Sequence, residues 1–297
     1  MANLKEVRIR ITSVNSTRQI TSAMKMVSAS KLRKAQNAIV SMRPYAQKLH
    51  SIMQDLSNDL DGSSNEGAYA ADRGEHKVLI VTITSNRGLC GAFNANIVKS
   101  AVGLIKNKYA AQYKKGNVNL MCIGKKGADG LISAGYKPVN IITDIFDQLT
   151  FENTVPIAEE LMRLFVGKAY DKIIIIYNQF KNAAVQILQE EQFLPVVDSA
   201  ENDSDTKDKV AANYIFEPNK ADILEALVPK AIKVQLYKAL LDSFASEHGA
   251  RMTAMHQATE NADELIKSLK LTYNKARQAA ITNEILEIVG GAEALQG

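Results

Sequence analysis

The chain has 297 residues, which is enough for one large domain or two small ones. Aromatic residues make up 6% of it and tryptophan is absent, a composition that weighs mildly against a deep cofactor pocket. No apolar run approaches the roughly 18 residues of a membrane-spanning helix. The two cysteines, Cys90 and Cys122, have neither metal-ligand nor disulfide-framework spacing, which favours a reducing compartment.

Positive charge is concentrated at the N-terminus. Residues 1–50 contain ten Lys or Arg and one acid, a net charge of +9, whereas the whole chain has a net charge of +4. Organelle transit peptides are also basic and rich in serine, but this helical pattern continues without a small-residue cleavage site to about residue 57. We therefore predict that the segment is mature protein, and that its charge indicates an acidic partner.

Residues 1–58 have the pattern of one long helix. In its first half, the apolar positions slip after Val14 to Ile20, Met24 and Val27, which predicts a local change in winding. In its second half, apolar residues alternate by three and four, the spacing of a coiled-coil seam. These later seam positions are Ala35, Ala38, Met42, Tyr45, Leu49, Ile52 and Leu56.

Residues 77–218 have the pattern of an α/β domain, which follows a linker at 59–76. Strand-like runs alternate with helical segments, so we predict βαβ units and a mostly parallel, Rossmann-like sheet. The predicted strands are Val78–Thr84, Val118–Gly124 and Lys172–Tyr177, with weaker ones near Val139–Ile142, Val185–Leu188 (antiparallel) and Asn213–Glu217. The predicted helices are Asn94–Tyr113, Lys125–Ser133 and Val155–Ala169. Residues 198–209 are predicted to be an acidic surface loop.

Residues 219–297 return to a helical pattern. A second seam of three-and-four spacing has eight apolar members out of nine: Met252, Met255, Thr259, Ala262, Ile266, Leu269, Tyr273, Ala276 and Ala280. Acids between these positions, such as Asp263, are interpreted as a solvated face. Because neither long seam can remain in water, we expect the two terminal helices to form an antiparallel coiled coil. Pro44 should kink or interrupt the first helix, and Pro229 should break the second.

The chain offers few candidates for chemistry. Gly124–Gly130 follows a strand and opens a helix, where phosphates can bind, but it matches no phosphate-binding motif and is interpreted mainly as a turn and helix cap. The four histidines lack partners at metal-ligand spacing. We predict no catalytic, cofactor-binding or metal-ligating residue. From the residues alone, the basic arm fits either nucleic acid or acidic protein loops equally well.

Several motifs in order along the chain resemble the gamma subunit of the F-type ATP synthases. They are Ile20–Gln36, Arg43–Tyr45, Thr84–Gly91, Tyr214–Pro218, Ala245–Met252, Tyr273–Gln278, Ile281–Glu284, Glu287 and Gly291–Ala292. The resemblance implies a non-catalytic rotor shaft that couples proton flow through a membrane ring to ATP synthesis or hydrolysis. The alternative is a basic coiled-coil protein that binds nucleic acid.

The resemblance also implies partners and contact residues. The partners would be three alpha and three beta subunits, the epsilon subunit and the ring of c subunits, with no nucleic acid and no cofactor. Contact with the hexamer is expected at Met24, Lys25, Lys31, Arg33, Lys34, Arg277, Gln278, Thr282, Ile285 and Val289. The absence of a regulatory cysteine pair and of a transit peptide favours a bacterial complex. The expected location is the cytoplasmic side of the inner membrane, with membrane association through the complex only.

Overall fold

The computed structural model describes residues 4–58, 69, 71, 73–196 and 220–294. The chain divides into two compact units, which we call the helical unit (residues 1–29 with 251–297) and the α/β unit (residues 30–250). The predicted acidic loop at 198–209 and the predicted strand Asn213–Glu217 lie outside the described residues, as does most of the linker at 59–76.

The α/β unit is built on a five-stranded sheet. The strands are β1 (Val78–Ile83), β2 (Val118–Ile123), β3 (Asn140–Ile142), β4 (Lys172–Phe180) and β5 (Gln186–Leu194). They lie in the order β3-β2-β1-β4-β5. β1 pairs in parallel with β2 and β4, and β2 pairs in parallel with β3, whereas β5 is antiparallel to β4. The predicted mostly parallel sheet and its antiparallel return are thereby confirmed.

Six α-helices accompany the sheet. They are α1 (Leu4–Asn58), α2 (Phe93–Asn107), α3 (Ala110–Lys114), α4 (Lys125–Ser133), α5 (Phe151–Val166) and α6 (Lys220–Ala294), with a short 3-10 helix at Asp144–Phe146. The single helix predicted over 94–113 is therefore two helices. The start of α5 is fixed by Thr150, whose hydroxyl accepts a hydrogen bond from the backbone N–H of Asn153.

The sheet is covered on both faces, which explains why β1 is buried along its whole length. Alternate residues of β1 serve two hydrophobic cores. Leu79 belongs to the core that includes Leu161 of α5 and Leu236 of α6. Ile80 belongs to the core that includes Ile97 of α2 and Leu131 of α4.

Both terminal helices continue through their prolines. α1 is helical on either side of Pro44, so an interruption there is wrong, whereas the alternative of a kink stays a prediction. The predicted break at Pro229 in α6 is wrong as well. A proline inside a helix costs about 3 kcal/mol. Buried neighbours offset this cost, because Leu49 follows Pro44 and Ile232 follows Pro229 in the core.

The second half of α1 buries a seam that differs in detail from the predicted one. Leu32, Ala35, Ile39 and Leu49 are buried in the α/β unit. Tyr45, a predicted seam residue, is 54% exposed, so that assignment is wrong. The side chains of Ile52 and Leu56 lie outside the described part of the chain.

Candidate functional site

Within the helical unit, α1 and α6 run antiparallel. A guanidinium nitrogen of Arg18 donates to Asp263 Oδ1 at 3.0 Å, the hydroxyls of Thr21 and Thr259 are 2.8 Å apart, and Lys25 Nζ is 3.2 Å from His256 Nδ1. Residue numbers rise along α1 as they fall along α6, which defines the direction of the pair. The predicted antiparallel pairing is confirmed for this unit.

The α6 side of the seam follows the prediction. Met255, Ala262 and Ile266 are buried, and the other predicted positions, Met252, Thr259, Leu269, Tyr273, Ala276 and Ala280, are half-buried. Between these positions the surface of α6 is mostly exposed. The three-and-four spacing of apolar residues therefore located this face correctly.

The α1 side of the seam departs from the prediction. Ile20 and Val27 are 60% and 58% exposed, whereas Thr21 and Ser28 are 8% and 2% exposed. The predicted slip to Ile20 and Val27 is therefore wrong. From Val14 the seam continues in steps of seven through two small hydroxyl side chains, whose polar atoms can form hydrogen bonds when buried.

The expected contact residues near the middle of α1 have different surroundings. Met24 and Lys25 are half-buried in the helical unit, and Lys25 interacts with His256. The other three basic residues of this group, Lys31, Arg33 and Lys34, are exposed and belong to the α/β unit.

The expected contact residues of α6 lie far from Lys25 along the helix. Arg277 follows His256, the residue opposite Lys25, by 21 positions, which is about 30 Å of helix. Arg277, Gln278 and Thr282 are all exposed, and the Thr282 hydroxyl donates to the Gln278 carbonyl oxygen of its own helix at 2.9 Å. The structure therefore does not bring the two groups of contact residues together.

The C-terminal end of α6 extends beyond the described part of α1. In the observed register, Leu4, the first described residue of α1, lies level with Arg277. The remaining 17 helical residues, 278–294, span about 25 Å. Every residue from 281 to 292 is exposed, including five large apolar ones. We call residues 278–294 the tip; its exposed apolar side chains are Ile281, Ile285, Leu286, Ile288 and Val289, between 47% and 71% exposed.

The sequence analysis did not identify three residues of α6 as partners of polar residues on α1. Asp263 was interpreted as part of a solvated face, and Thr259 was the one polar member of an apolar seam. His256 is one of the four histidines for which the sequence shows no partner at metal-ligand spacing. Polar residues at seam spacing on both helices were the available signal, but the register needed to match them cannot be read from either helix alone.

The glycine-rich turn before α4 is closed by protein groups. The backbone N–H groups of Lys125, Lys126 and Gly127 donate to Asn86 Oδ1, the Ser85 carbonyl oxygen and Thr84 Oγ1 at 3.1, 3.0 and 2.9 Å. These are the N–H groups that would otherwise bind an anion at the start of the helix. The arrangement supports the interpretation of a turn and cap.

The two cysteines are structural in character. Both are buried, and burial raises the pKa of the Cys122 thiol, which also accepts a hydrogen bond from the Thr82 hydroxyl at 3.4 Å. Cys90 lies 3.2 Å from Asn94 Nδ2 in the turn before α2. Reactive cysteines are accessible to solvent, so neither buried thiol fits that description.

Among the residues that the structure describes, no cluster of three or more His, Cys, Asp or Glu side chains could hold a metal ion. Among the helices of the described part, none combines the length and apolar character needed to cross a membrane.

The family model for ATP synthase matches residues 3–295 of the chain. Among curated proteins, the ATP synthase gamma chain of Flavobacterium johnsoniae is 60% identical over 297 residues, covering all of both chains. The ATP synthase gamma chain of Christiangramia forsetii is 58% identical, also over the full length of both. These findings do not support the interpretation as a nucleic-acid-binding protein.

Solved structures give the same picture of the fold. A chain from the Euglena gracilis mitochondrial ATP synthase (OSCP/F1/c-ring, rotational state 3) has a TM-score of 0.67 at 23% identity, covering 98% of this chain and 94% of that one. A chain from the central stalk and c-ring of the Tetrahymena thermophila mitochondrial ATP synthase has a TM-score of 0.56 at 26% identity. It covers 80% of this chain and 99% of that chain.

Proposed function

This chain belongs to the ATP synthase gamma chain family, and we propose that it works as a non-catalytic central stalk that couples proton flow through a membrane ring to ATP synthesis or hydrolysis. Its partners would be three alpha and three beta subunits around the helices, and the epsilon subunit and c ring at the α/β unit. The catalytic chemistry would belong to the beta subunits.

The observation that carries this proposal is the exposed apolar tip of α6. Its five large apolar side chains form one face about 160° wide, which the described part of α1 does not cover and which would normally pack against a partner in water. Burying each of them in a surrounding sleeve would contribute on the order of 1 kcal/mol or more. Apolar contact has little directional preference, so such a sleeve can hold the tip while the tip turns.

The α/β unit is suited to apply torque to α6 because it holds this helix through polar and apolar contacts. Glu191 of β5 accepts a hydrogen bond from the Tyr177 hydroxyl at 2.8 Å and from Gln235 Nε2 of α6 at 2.6 Å. Lys233 of α6 pairs with Glu159 of α5 at 2.6 Å. A ring that turns the α/β unit would therefore turn α6 with it.

Rotation can change the hexamer because two antiparallel helices have different surfaces on different sides. Coupling between sites requires contacts that differ between states. In our proposal, Met24 and Lys25 meet an acidic loop of one beta subunit, and Lys31, Arg33 and Lys34 extend this basic surface. Electrostatic contacts of this kind guide orientation more than they add affinity.

The tip would make the second set of contacts. Arg277, Gln278 and Thr282 are exposed polar residues near its beginning, suited to hydrogen bonds with a beta-subunit loop at one rotational position. Ile285 and Val289, further along the tip, would lie in the sleeve. We further propose that the complex is bacterial and that the chain lies on the cytoplasmic side of the inner membrane, attached through its partners.

Mass measurement of the intact native complex tests the proposal. The chain is tagged in its own bacterium, purified under native conditions and weighed with its partners. We expect one copy of the chain with three alpha and three beta subunits. Recovery of the chain without alpha and beta subunits, from cells that contain assembled ATP synthase, would refute the proposal.

A further inference from the structure

We propose that three polar pairs across the helical unit fix the axial register of α1 against α6, and so fix how far the tip extends. We call these six residues the register block: Arg18, Thr21 and Lys25 of α1 with Asp263, Thr259 and His256 of α6. The register itself is a property of this chain. Only its consequence, that both sets of hexamer contacts can be made together, rests on the proposed function.

The central pair of the register block is shielded from water. Thr21 is 8% exposed, and its hydroxyl oxygen is 2.8 Å from that of Thr259. Each hydroxyl also has an acceptor on its own helix, since that of Thr259 lies 2.8 Å from the Met255 carbonyl oxygen and that of Thr21 lies 3.0 Å from the Arg18 carbonyl oxygen. One of the two can donate across the pair, and a slip that set either hydroxyl against an apolar side chain would remove this polar contact at a shielded position.

The outer pairs add charge to the two sides of this centre. Arg18 and Asp263 form an ion pair at 3.0 Å, with side chains 41% and 45% exposed. At this exposure the ion pair adds little stability. It nevertheless distinguishes the observed alignment from a slip by one heptad, because a misplaced Arg18 is no longer level with a carboxylate.

The apolar layers of the seam lack this selectivity. In the observed register, Val14 lies level with Ile266, and Ile11 lies level with Leu269. One branched apolar residue can take the place of another at a seam with modest loss. Polar residues at single seam positions are known to select register in coiled coils.

A slip by one heptad shows what the register block opposes. In one direction, Asp263 would lie opposite Ile11 and Arg18 opposite His256. In the other direction, Arg18 would lie opposite Lys270 and Thr21 opposite Ile266, although Asp263 would then lie opposite Lys25. Either slip would move the tip by about 10 Å relative to Met24 and Lys25. In the proposed function, the two sets of hexamer contacts could not then be made together.

Distance measurement between spin labels tests the proposal on the full-length chain. Labels are attached at Arg10→Cys and Lys270→Cys, both exposed positions that lie level with each other. The native thiols of Cys90 and Cys122 are buried, so the labels react with the introduced ones. The native register block should give one narrow distance distribution.

The test variant replaces four members of the register block: Arg18→Leu, Thr21→Val, Thr259→Val and Asp263→Leu. We expect a second distance population offset by about 10 Å along the axis, together with an unchanged or raised melting temperature. A single narrow distribution identical to that of the parent chain would overturn the proposal. The charge-swapped pair Arg18→Asp with Asp263→Arg should keep the single distribution, and splitting there would also count against it.

Two other threonines provide a matched control. Thr12 and Thr272 are exposed, and each hydroxyl donates to a carbonyl oxygen of its own helix at 3.1 Å. Thr12→Val with Thr272→Val should leave the distance distribution unchanged. Because the readout is a distance within the isolated chain, its outcome is independent of whether the chain copurifies with alpha and beta subunits.

Discussion

Replacing Gly127 with alanine tests the closed turn before α4. A Cβ atom at this position would lie 2.5 Å from Thr84 Oγ1 and 2.8 Å from Thr84 Cγ2. Thr84 is 1% exposed, at the end of β1, so its side chain has little room to move. Overpacking of this kind costs about 1–3 kcal/mol, and the better helix propensity of alanine returns at most about 1 kcal/mol.

We therefore expect Gly127→Ala to lower the free energy of unfolding by about 1–2 kcal/mol. For a unit of this size, the melting temperature should fall by roughly 2–8 °C. Thermal and urea unfolding of the purified chain, followed by circular dichroism, measure the change. Thr84→Ala removes the two closest atoms, so the cost of Gly127→Ala should be much smaller in that background.

Gly103 provides the matched control, since it lies within α2 and no atom would come within 4 Å of an added Cβ. Gly103→Ala should raise the free energy of unfolding by about 0.4–1 kcal/mol. If both alanine variants stabilise the chain equally, the close packing between Gly127 and Thr84 is refuted. If Gly127→Ala instead abolishes a nucleotide-dependent activity of the isolated chain, the turn binds an anion after all.

Three further predictions concern the remaining regions. Burial raises the pKa of Glu75, but hydrogen bonds from Lys172 and Lys108 outweigh burial, so its net pKa is lowered from 4.5. Its stabilising effect is therefore present above that value and is lost as pH falls through the lowered pKa. Glu75→Gln should lower the free energy of unfolding by about 0.5–1 kcal/mol at neutral pH and leave it unchanged in acid. Urea unfolding at several pH values measures this, and a loss that persists in acid would contradict the prediction. Deleting residues 281–297 should change the melting temperature by no more than about 1 °C, because residues 281–292 are exposed. The same deletion should weaken assembly with the hexamer in pull-down assays. A large fall in melting temperature would contradict this prediction. Met24→Lys should reduce proton pumping more than ATP hydrolysis in membrane vesicles, and an equal loss of both would count against its placement.

The sequence predicted the sheet well because β-branched runs and the alternation of strands with helices are local signals. Parallel pairing follows from that alternation, whereas the antiparallel return of β5 follows from the short connection after β4, which has no helix. The seam of α6 was predictable for the same reason, since its members are nearly all apolar.

The seam of α1 was mispredicted because its buried members near Thr21 and Ser28 are polar. An apolar pattern then pointed to Ile20 and Val27, which are exposed. Only the partner helix, 238 residues away at Thr259, reveals that Thr21 is on the inner face. The predicted helix ends at the prolines were wrong for a related reason. Local helix propensity does not include the tertiary packing that lets a helix continue through a proline.

The two halves of the helical unit are made at very different times. Ala29 ends the first half, and Arg251 begins the second, 222 residues later. At a synthesis rate of about 5–20 residues per second, the apolar residues of α1 wait roughly 11–45 s for their partner. During that interval Val7 and Ile11 have no cover from α6, so this apolar face is prone to aggregate until the second half is made.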